Sequence, residues 1–334
     1  LKMKKILSIS VAAYNLESMI RQCLDSFVHP EILEKVEVLV TDDGSKDHTR
    51  EIVKEYEEKY PGTFKLIAQK NAGPGSTVNS GIAHASGKYF RMVDGDDWVN
   101  TKDMPAYLDY LETHDTDMVC TSFCCVDNDT GEKKPEILKM PVMNQELAFE
   151  SVAENLHLEM HNVTYRTELL KKNRITLDNG FYTDVEYLLF PTPYIRTIVF
   201  LDQMIYMYRV SLSTQSMNIK SLQKNEKMHR QVLDHLMHEY EEYRASKLWN
   251  VKSGAYYCKR IASMAGTQLS IYLSFKDVKT YKKMTSAFTA AVKKDHSTIY
   301  HEIMKLKTYK LLVYSDFILY GVISLMHRKK LNIQ

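Results

Sequence analysis

Neither of the common phosphate-binding loops is present in this 334-residue chain: there is no GxGxxG, and no GxxxxGK[ST]. Both absences weigh against a nicotinamide cofactor and against P-loop ATP hydrolysis. No charge of one sign predominates, with 44 Lys plus Arg against 42 Asp plus Glu for a net +2. A nucleic-acid-binding surface normally shows a basic excess, so no nucleic-acid partner is expected. The five cysteines (Cys23, Cys120, Cys124, Cys125, Cys258) form an odd set without a CxxC or a His-spaced metal pattern, as fits reduced thiols in a core. No apolar run reaches the ~20 residues of a membrane span. The most apolar stretch, 311–326, is shorter and carries Asp316. A signal peptide is not expected either, because the apolar run 6–13 breaks at Tyr14-Asn15. Hydrophobic residues at 44% and charged residues at 26% are ordinary globular values.

Residues 1–100 alternate strand and helix patterns. Apolar, β-branched runs at 7–11 and 36–41 suit strands covered on both faces. Between them Met19, Ile20, Cys23, Leu24 and Phe27 recur at helical spacing. A helix from Thr49 places Ile52, Val53 and Tyr56 inward and stops at Pro61-Gly62; a strand at 64–68, a helix at 77–85 and a strand at 89–93 follow. This order predicts an α/β fold with a mostly parallel, doubly wound sheet. Beyond it, 118–126 reads as a strand, Asp129-Thr130-Gly131 as a turn, 145–156 as a helix, and 199–210 as a strand pair or extended segment. From about Ser221 the sequence is long, charged and helix-rich with almost no Gly or Pro. The expected division is 1–100, 101–217, and a helical region over 218–334.

In open α/β sheets ligands bind beyond the carboxyl ends of the strands. The four early strands end in Ala12-Ala13-Tyr14-Asn15-Leu16-Glu17, Asp42-Asp43-Gly44-Ser45-Lys46-Asp47, Asn71-Ala72-Gly73-Pro74-Gly75 and Asp94-Gly95-Asp96-Asp97. Carboxylates repel a bare diphosphate, so the last loop makes sense with a divalent cation between the two. Hard oxygen ligands suit Mg²⁺ or Mn²⁺. The alternative is a solvated turn, since Asp and Gly are ordinary turn formers. For the second loop the alternative is helix capping by Ser45 or Asp47, a role compatible with ligand binding.

These four stretches, in this order and spacing, resemble the family 2 glycosyltransferases of the glycosyltransferase A fold. The residues that carry the likeness are Val11 to Glu17 for VPxYNxE, Asp42 to Thr49 for DDGSxDxT, Asn71 to Gly81 for NxGxxxARNxG, and Asp94 to Asp97 for DxDD. A looser likeness extends to about residue 217 through Asn162-Val163-Thr164-Tyr165-Arg166, Thr183-Asp184-Val185-Glu186 and Tyr206-Met207-Tyr208-Arg209 with Ser211 and Ser213. Departures are Ala12 for the usual proline, Val78 for a common arginine, Thr183 for a glutamate and Val163 for a lysine. No QxxRW segment of the processive relatives is present, so one sugar per encounter is expected.

The resemblance implies a metal-dependent, inverting transfer of a sugar from a nucleotide-sugar, a UDP-sugar by preference, to a saccharide or lipid-linked saccharide acceptor. The work is that of cell-surface polysaccharide or glycoconjugate synthesis in the cytoplasm. Ala12, Tyr14, Glu17, Asp43, Asn71, Gly73, Asp94 and Gly95 would line the donor site, with Asp43 accepting from a uracil N–H. Asp94 and Asp96 would hold Mn²⁺ or Mg²⁺, while Asp97 fixes the loop or faces the acceptor. Asp184 corresponds to the family's catalytic carboxylate; the alternative is that it caps the helix holding Tyr187, Leu188 and Leu189. His161 stays unassigned, and Arg209 is either a phosphate clamp or a surface salt bridge. Two other classes compete: a sugar-phosphate nucleotidyltransferase, which would need a Gly-rich basic loop near the N-terminus, and a non-catalytic nucleotide-sugar-binding protein. Residues 301–334 carry six Lys/Arg against two Asp/Glu beside several large apolar residues. They fit either peripheral contact with the inner face of an anionic membrane or a helix packed on the protein's own core.

Overall fold

A computed structural model describes residues 5–212 and 218–333. The chain divides into two compact units: the first takes residues up to Val152 and Leu156–Leu212, the second Ala153–Asn155 and the chain from residue 218 onward.

The first unit is built on a ten-stranded sheet. Its strands are β1 (Leu7–Ala13), β2 (Val36–Asp42), β3 (Phe64–Ala68), β4 (Tyr89–Asp94), β5 (Trp98–Val99), β6 (Met118–Asp127), β7 (Lys133–Glu136), β8 (Leu147–Ala148), β9 (Val163–Arg166) and β10 (Thr197–Val210). The helices are α1 (Ile20–Asp25), α2 (Pro30–Leu33), α3 (Thr49–Lys59), α4 (Pro74–His84), α5 (Met104–Thr113), α6 (Phe149–Val152), α7 (Thr167–Lys172) and α8 (Thr183–Leu189). The order across the sheet is β3-β2-β1-β4-β9-β6-β10-β5, with β7 on β6 and β8 on β10. Strands β3, β2, β1 and β4 are mutually parallel. Because β9 is antiparallel to both β4 and β6, β6 and its parallel partner β10 run in the same direction as the first four. Six strands therefore end at one edge, and the polar loops gather there. The sheet is mixed but mainly parallel, as the sequence pattern predicts.

Residues Leu7, Ile9 and Val11 of β1 and Val36, Val38 and Val40 of β2 are fully buried, and so are Ser8 and Thr41 on the alternate positions. Cover on both faces is what makes these strands continuous apolar runs. The helical faces read from the spacing also point inward: Ile20, Cys23, Leu24 and Phe27 near α1, and Ile52, Val53 and Tyr56 on α3.

One expectation changes. Residues 145–156 do not form one helix: β8 pairs with β10 (Leu147 with Ile198), then α6 and a 3₁₀ turn at Ala153–Asn155 follow. The strand-order demand of the sheet edge overrides the local helical pattern there. Of the two readings of residues 199–210, the extended segment holds: they are part of a single 14-residue strand, β10, with register shifts between Leu201 and Met204 and between Met204 and Tyr206. All five cysteines are free thiols.

The second unit is helical: α9 (Ile219–Lys224), α10 (Glu226–Ala245), α11 (Val251–Ser274), α12 (Val278–Asp295), α13 (Ser297–Ile303), α14 (Lys307–Tyr314) and α15 (Tyr320–Lys330). Helix α11 is central, touching α9, α10, α12, α13 and α15. It buries Tyr257, Ile261, Ala265, Leu269 and Tyr272 at three- and four-residue spacing. Side chains cap the starts: Asn250 accepts from the N–H groups of Lys252 and Ser253, and Asp277 from that of Thr280.

Candidate active site

The first two loops bind each other. The N–H of Asn15 donates to Ser45 Oγ at 2.9 Å, that of Leu16 to Thr49 Oγ1 at 2.7 Å and that of Glu17 to Asp47 Oδ2 at 3.0 Å. In return Asn15 Oδ1 accepts from the N–H of Lys46 and Glu17 Oε2 from that of His48. Glu17 thus ties the first loop to the second. Asp47 also accepts the N–H of Thr49 at the start of α3, which is the capping role expected of it. Asp42 is fully buried and held by Arg50 through Nε at 2.9 Å and a terminal nitrogen at 2.6 Å.

Asp43 governs the third loop. Its Oδ1 accepts from Gln69 Nε2 at 2.8 Å and the Ala72 N–H at 2.9 Å, and its Oδ2 from the Gly73 N–H at 2.9 Å. A carboxylate offers about four lone-pair sites, so capacity for one further donor remains on Oδ2. Tyr14 and Asn71 are exposed at the rim, Ala12 and Gly73 are partly buried, and the Ala12 carbonyl accepts the Gly95 N–H at 3.0 Å.

The acidic loop follows β4. Asp94, Asp96 and Asp97 bring carboxylate oxygens within 4.8 Å of one another. Their environments differ. Asp97 is buried and spends both oxygens: Oδ2 accepts the Tyr206 hydroxyl at 2.6 Å and Oδ1 the Arg209 N–H at 2.7 Å. The same Tyr206 oxygen accepts the Asp94 N–H at 3.1 Å. Arg209 donates Nε to the Asp96 carbonyl at 2.7 Å, donates its terminal nitrogens to Asn128 and Gln22, and lies 4.8 Å over the Trp98 ring. Through these bonds Arg209 is a brace for the acidic loop, a role the sequence did not suggest. The described part of the YxYR segment is therefore a clamp on DxDD; Ser213 lies outside the described residues.

Burial pushes the Asp94 carboxyl up to about 7, with the charges of Asp96 and Asp184 adding to the effect. Asp96 is also raised, again first by burial, with its own backbone N–H and Arg209 opposing. Two neighbouring carboxyls both raised by burial mark a site short of positive charge. Asp94 and Asp96 retain oxygens for a divalent cation, and the donor set of hard oxygens fits Mn²⁺ or Mg²⁺.

Asp184 is contributed by a segment much later in the chain. It is the second residue of α8, whose N-cap is Tyr182 in a left-handed conformation (φ 71°), so it sits inside the first turn and is not the cap. Its placement depends on the segment before α8. Asn79 of α4 grips the Leu177 backbone twice, donating Nδ2 to its carbonyl and accepting its N–H, both at 2.8 Å. The start of α4 touches the next residues so closely that a Cβ on Gly75 would lie 1.6 Å from the Asp178 carbonyl oxygen, and one on Gly73 (φ +94°) 1.9 Å from that of Asn179. Glu186 Oε2 accepts the Asp178 N–H at 2.7 Å, and burial pushes its carboxyl up to about 8. Two glycines and an asparagine of the NxGxxxARNxG stretch thus dock the Asp184 segment onto α4. Sequence reasoning assigned no positioning role to Asn79, Gly75, Glu186 or Tyr206; their signal was membership in the motifs.

His161 is packed between Phe123, Tyr206 and Tyr208 at ring distances of 5.0, 4.6 and 4.3 Å. Burial and Arg91 push its pKa down to about 3, and it does not join the Asp94, Asp96 and Asp97 cluster. Asn162 is structural, accepting the Glu159 N–H and donating to the Thr121 carbonyl.

Residues 8–174 match the model of glycosyl transferase family 2. The chain belongs to this family. The putative glycosyltransferase EpsH of Bacillus subtilis is 28% identical over 220 residues, which cover 62% of this chain and 61% of that relative. Among solved structures, the S. aureus TarS 1–349 fragment in complex with UDP superposes with a TM-score of 0.63 at 21% identity, covering 97% of this chain and 92% of that one. A mannosyltransferase from Pyrobaculum calidifontis, in complex with GDP-mannose and Mn²⁺, gives 0.50 at 14% identity, covering 98% and 87%. The fold is the glycosyltransferase A fold that this family's motifs imply.

Proposed function

We propose that this family 2 member transfers a sugar from a UDP-sugar to a hydroxyl of a saccharide or lipid-linked saccharide, one sugar per encounter and with inversion, in cell-surface glycan synthesis on the cytoplasmic side of the membrane. The observation that carries the reading is the acidic loop after β4, where Asp94, Asp96 and Asp97 bring carboxylate oxygens within 4.8 Å of one another while only Asp97 is committed to braces; the charge of Asp184, which adds to the rise of the Asp94 carboxyl, supports a base on that side of the loop. A bound cation at Asp94 and Asp96 would neutralise charge that builds on a departing diphosphate. The chain's own residues do the rest. Tyr206, Asp97 and Arg209 hold the acidic loop in place, and Asn79 with Gly75 holds the Asp184 segment. The Asp184 carboxylate takes the acceptor proton as the new bond forms, an effect typically worth ~10²–10⁴-fold. The free capacity on Asp43 Oδ2 suits a uracil N–H, with the exposed Tyr14 ring beside the base. The UDP complex of TarS supports a uridine donor, and the Mn²⁺ complex of the mannosyltransferase supports a divalent metal.

The test is Asp184→Asn. It keeps size and much of the hydrogen bonding but accepts no proton. Calorimetry is expected to show UDP affinity near wild type with Mn²⁺ while transfer falls at least ~10²-fold. The product from a UDP-α-sugar is expected to be β-linked by NMR. Near-normal transfer by the variant, or an α-linked product, overturns the assignment. Equal affinity of the wild type for GDP and UDP overturns the uridine reading alone.

A further inference from the structure

Seven of the eleven exposed large hydrophobic side chains among the described residues fall between positions 311 and 326: Leu311, Tyr314, Ile318, Leu319, Val322, Leu325 and Met326. Scattered exposed apolar residues are ordinary; a contiguous set marks an interaction surface. The spacing makes it one. On α15, Val322, Leu325, Met326 and Lys329 stand at i, i+3, i+4 and i+7, and Ile318 lies one turn ahead, so they form a single exposed stripe. Tyr320 and Ser324 of the same helix are buried. On α14, Lys307, Lys310, Leu311 and Tyr314 repeat that spacing on the exposed face, while Tyr309 and Leu312 point inward. The most exposed members are Ile318 at 76%, Tyr314 at 75% and Met326 at 66%.

The charges around this stripe are predominantly positive. Between positions 305 and 330 there are six Lys and Arg against one acidic residue, Asp316. Three of the cations, Arg328, Lys329 and Lys330, end α15. Beside the stripe, α11, α14 and α15 line an open pocket of about 630 Å³, walled by Leu269, Leu273, Leu306 and Ile323 together with the stripe residues Leu311 and Met326, and with Lys307 and Lys330 also lining it. No helix among the described residues is long and apolar enough to cross a membrane.

We infer that the α14–α15 face docks this chain on an anionic lipid surface, with its apolar stripe in the headgroup boundary and its basic residues on the phosphates. An amphipathic pair of short helices that is apolar on its outward face and basic at its ends matches such a surface in both polarity and charge. The pocket favours lipid over a protein partner, because a mobile acyl chain can enter an apolar pocket that a flat protein face would leave empty. This inference stands apart from the transfer reaction and from every residue of the active site.

The test is co-sedimentation of the full chain with vesicles of phosphatidylcholine alone and with about one third phosphatidylglycerol. Binding is expected to be at least about tenfold tighter to the anionic vesicles and to weaken with added salt. Ile318→Ser with Val322→Ser and Met326→Ser is expected to lower it about tenfold, since each removes exposed apolar surface and leaves the core untouched. Lys329→Glu with Lys330→Glu is expected to lower binding to anionic vesicles by at least tenfold and to leave neutral vesicles unaffected. Hydrolysis of a soluble donor is expected to stay at the wild-type rate in both variants, which separates this result from any failure of the proposed transfer. Wild-type protein that sediments with neither vesicle, or equally with both, overturns the proposal. So does a dimer, seen by light scattering, that the triple serine variant breaks, because a second copy then covers the face.

Discussion

The donor loops and the acidic loop lie at the same sheet edge, yet they are held together in different ways. The loops after β1, β2 and β3 bind one another across 29 to 33 positions of sequence: Ala72 N–H to Asp43, Lys46 N–H to Asn15, Leu16 N–H to Thr49. The acidic loop and the Asp184 segment are held from far along the chain, by Tyr206 and Arg209 at 109 and 112 positions from Asp97, and by Asn79 at 98 from Leu177. The first arrangement is a local mesh and the second a set of long-range braces. Loss of a brace therefore moves a whole loop or segment, whereas loss of a local bond is shared among neighbours.

The largest expected effect comes from the ligand pair itself. Asp96→Asn should lower transfer by about 10²–10³-fold, the range for loss of one charge-stabilising group. Calorimetry should then show UDP affinity no longer raised by Mn²⁺ over EDTA. Next is Gly75→Ala, whose methyl group collides with the Asp178 carbonyl and must push α4 and the Asp184 segment apart. Displacement of about 1 Å can cost about 10²-fold in rate, so transfer should fall far more than UDP affinity. Asn79→Ala tests the same brace more gently: losing its two backbone bonds should lower stability by about 1–3 kcal/mol in urea melts and reduce kcat before KM.

The acidic loop also predicts a pH dependence. The Asp94 carboxyl stands at about 7 in the folded chain and near ~3.9 unfolded, so the folded state binds more protons between those values. Metal-free stability should then fall as pH rises from about 4 to 7 through this group. Asp94→Asn should remove that part of the slope and give a higher Tm than the metal-free wild type at pH 8, with Mn²⁺ plus UDP raising only the wild type. At the other extreme, His238→Ala removes an exposed pair with Glu242 on α10 and should change stability by less than about 0.5 kcal/mol.

The mainly parallel sheet was legible because β1, β2 and β4 are short runs dominated by apolar residues with helical patterns between them, and the loops were legible because their residue types stand in consecutive order. The 14-residue β10 was not, since its register shifts come from pairing with β6 and leave no local mark. Nor was the short β8 with its following turns, where a helical pattern yields to pairing with β10. Arg209 could not be assigned from sequence because its partners, Gln22, Asp96 and Asn128, lie 187, 113 and 81 positions away.

Sequence by itself determined the family, the loops that meet at one edge, the acidic residues available to a metal and the helical character of the chain from 218 onward. These follow from residue type and spacing, which local propensity and strand direction convert into place. Only the tertiary structure decided that Asp97 is a fixed brace point while Asp94 and Asp96 keep oxygens to spare, that Asp184 stands inside the first turn of α8, and that α14 and α15 present their apolar stripe outward. Each of these depends on which distant side chain takes a hydrogen bond or covers a face, and no spacing rule along one segment contains that information.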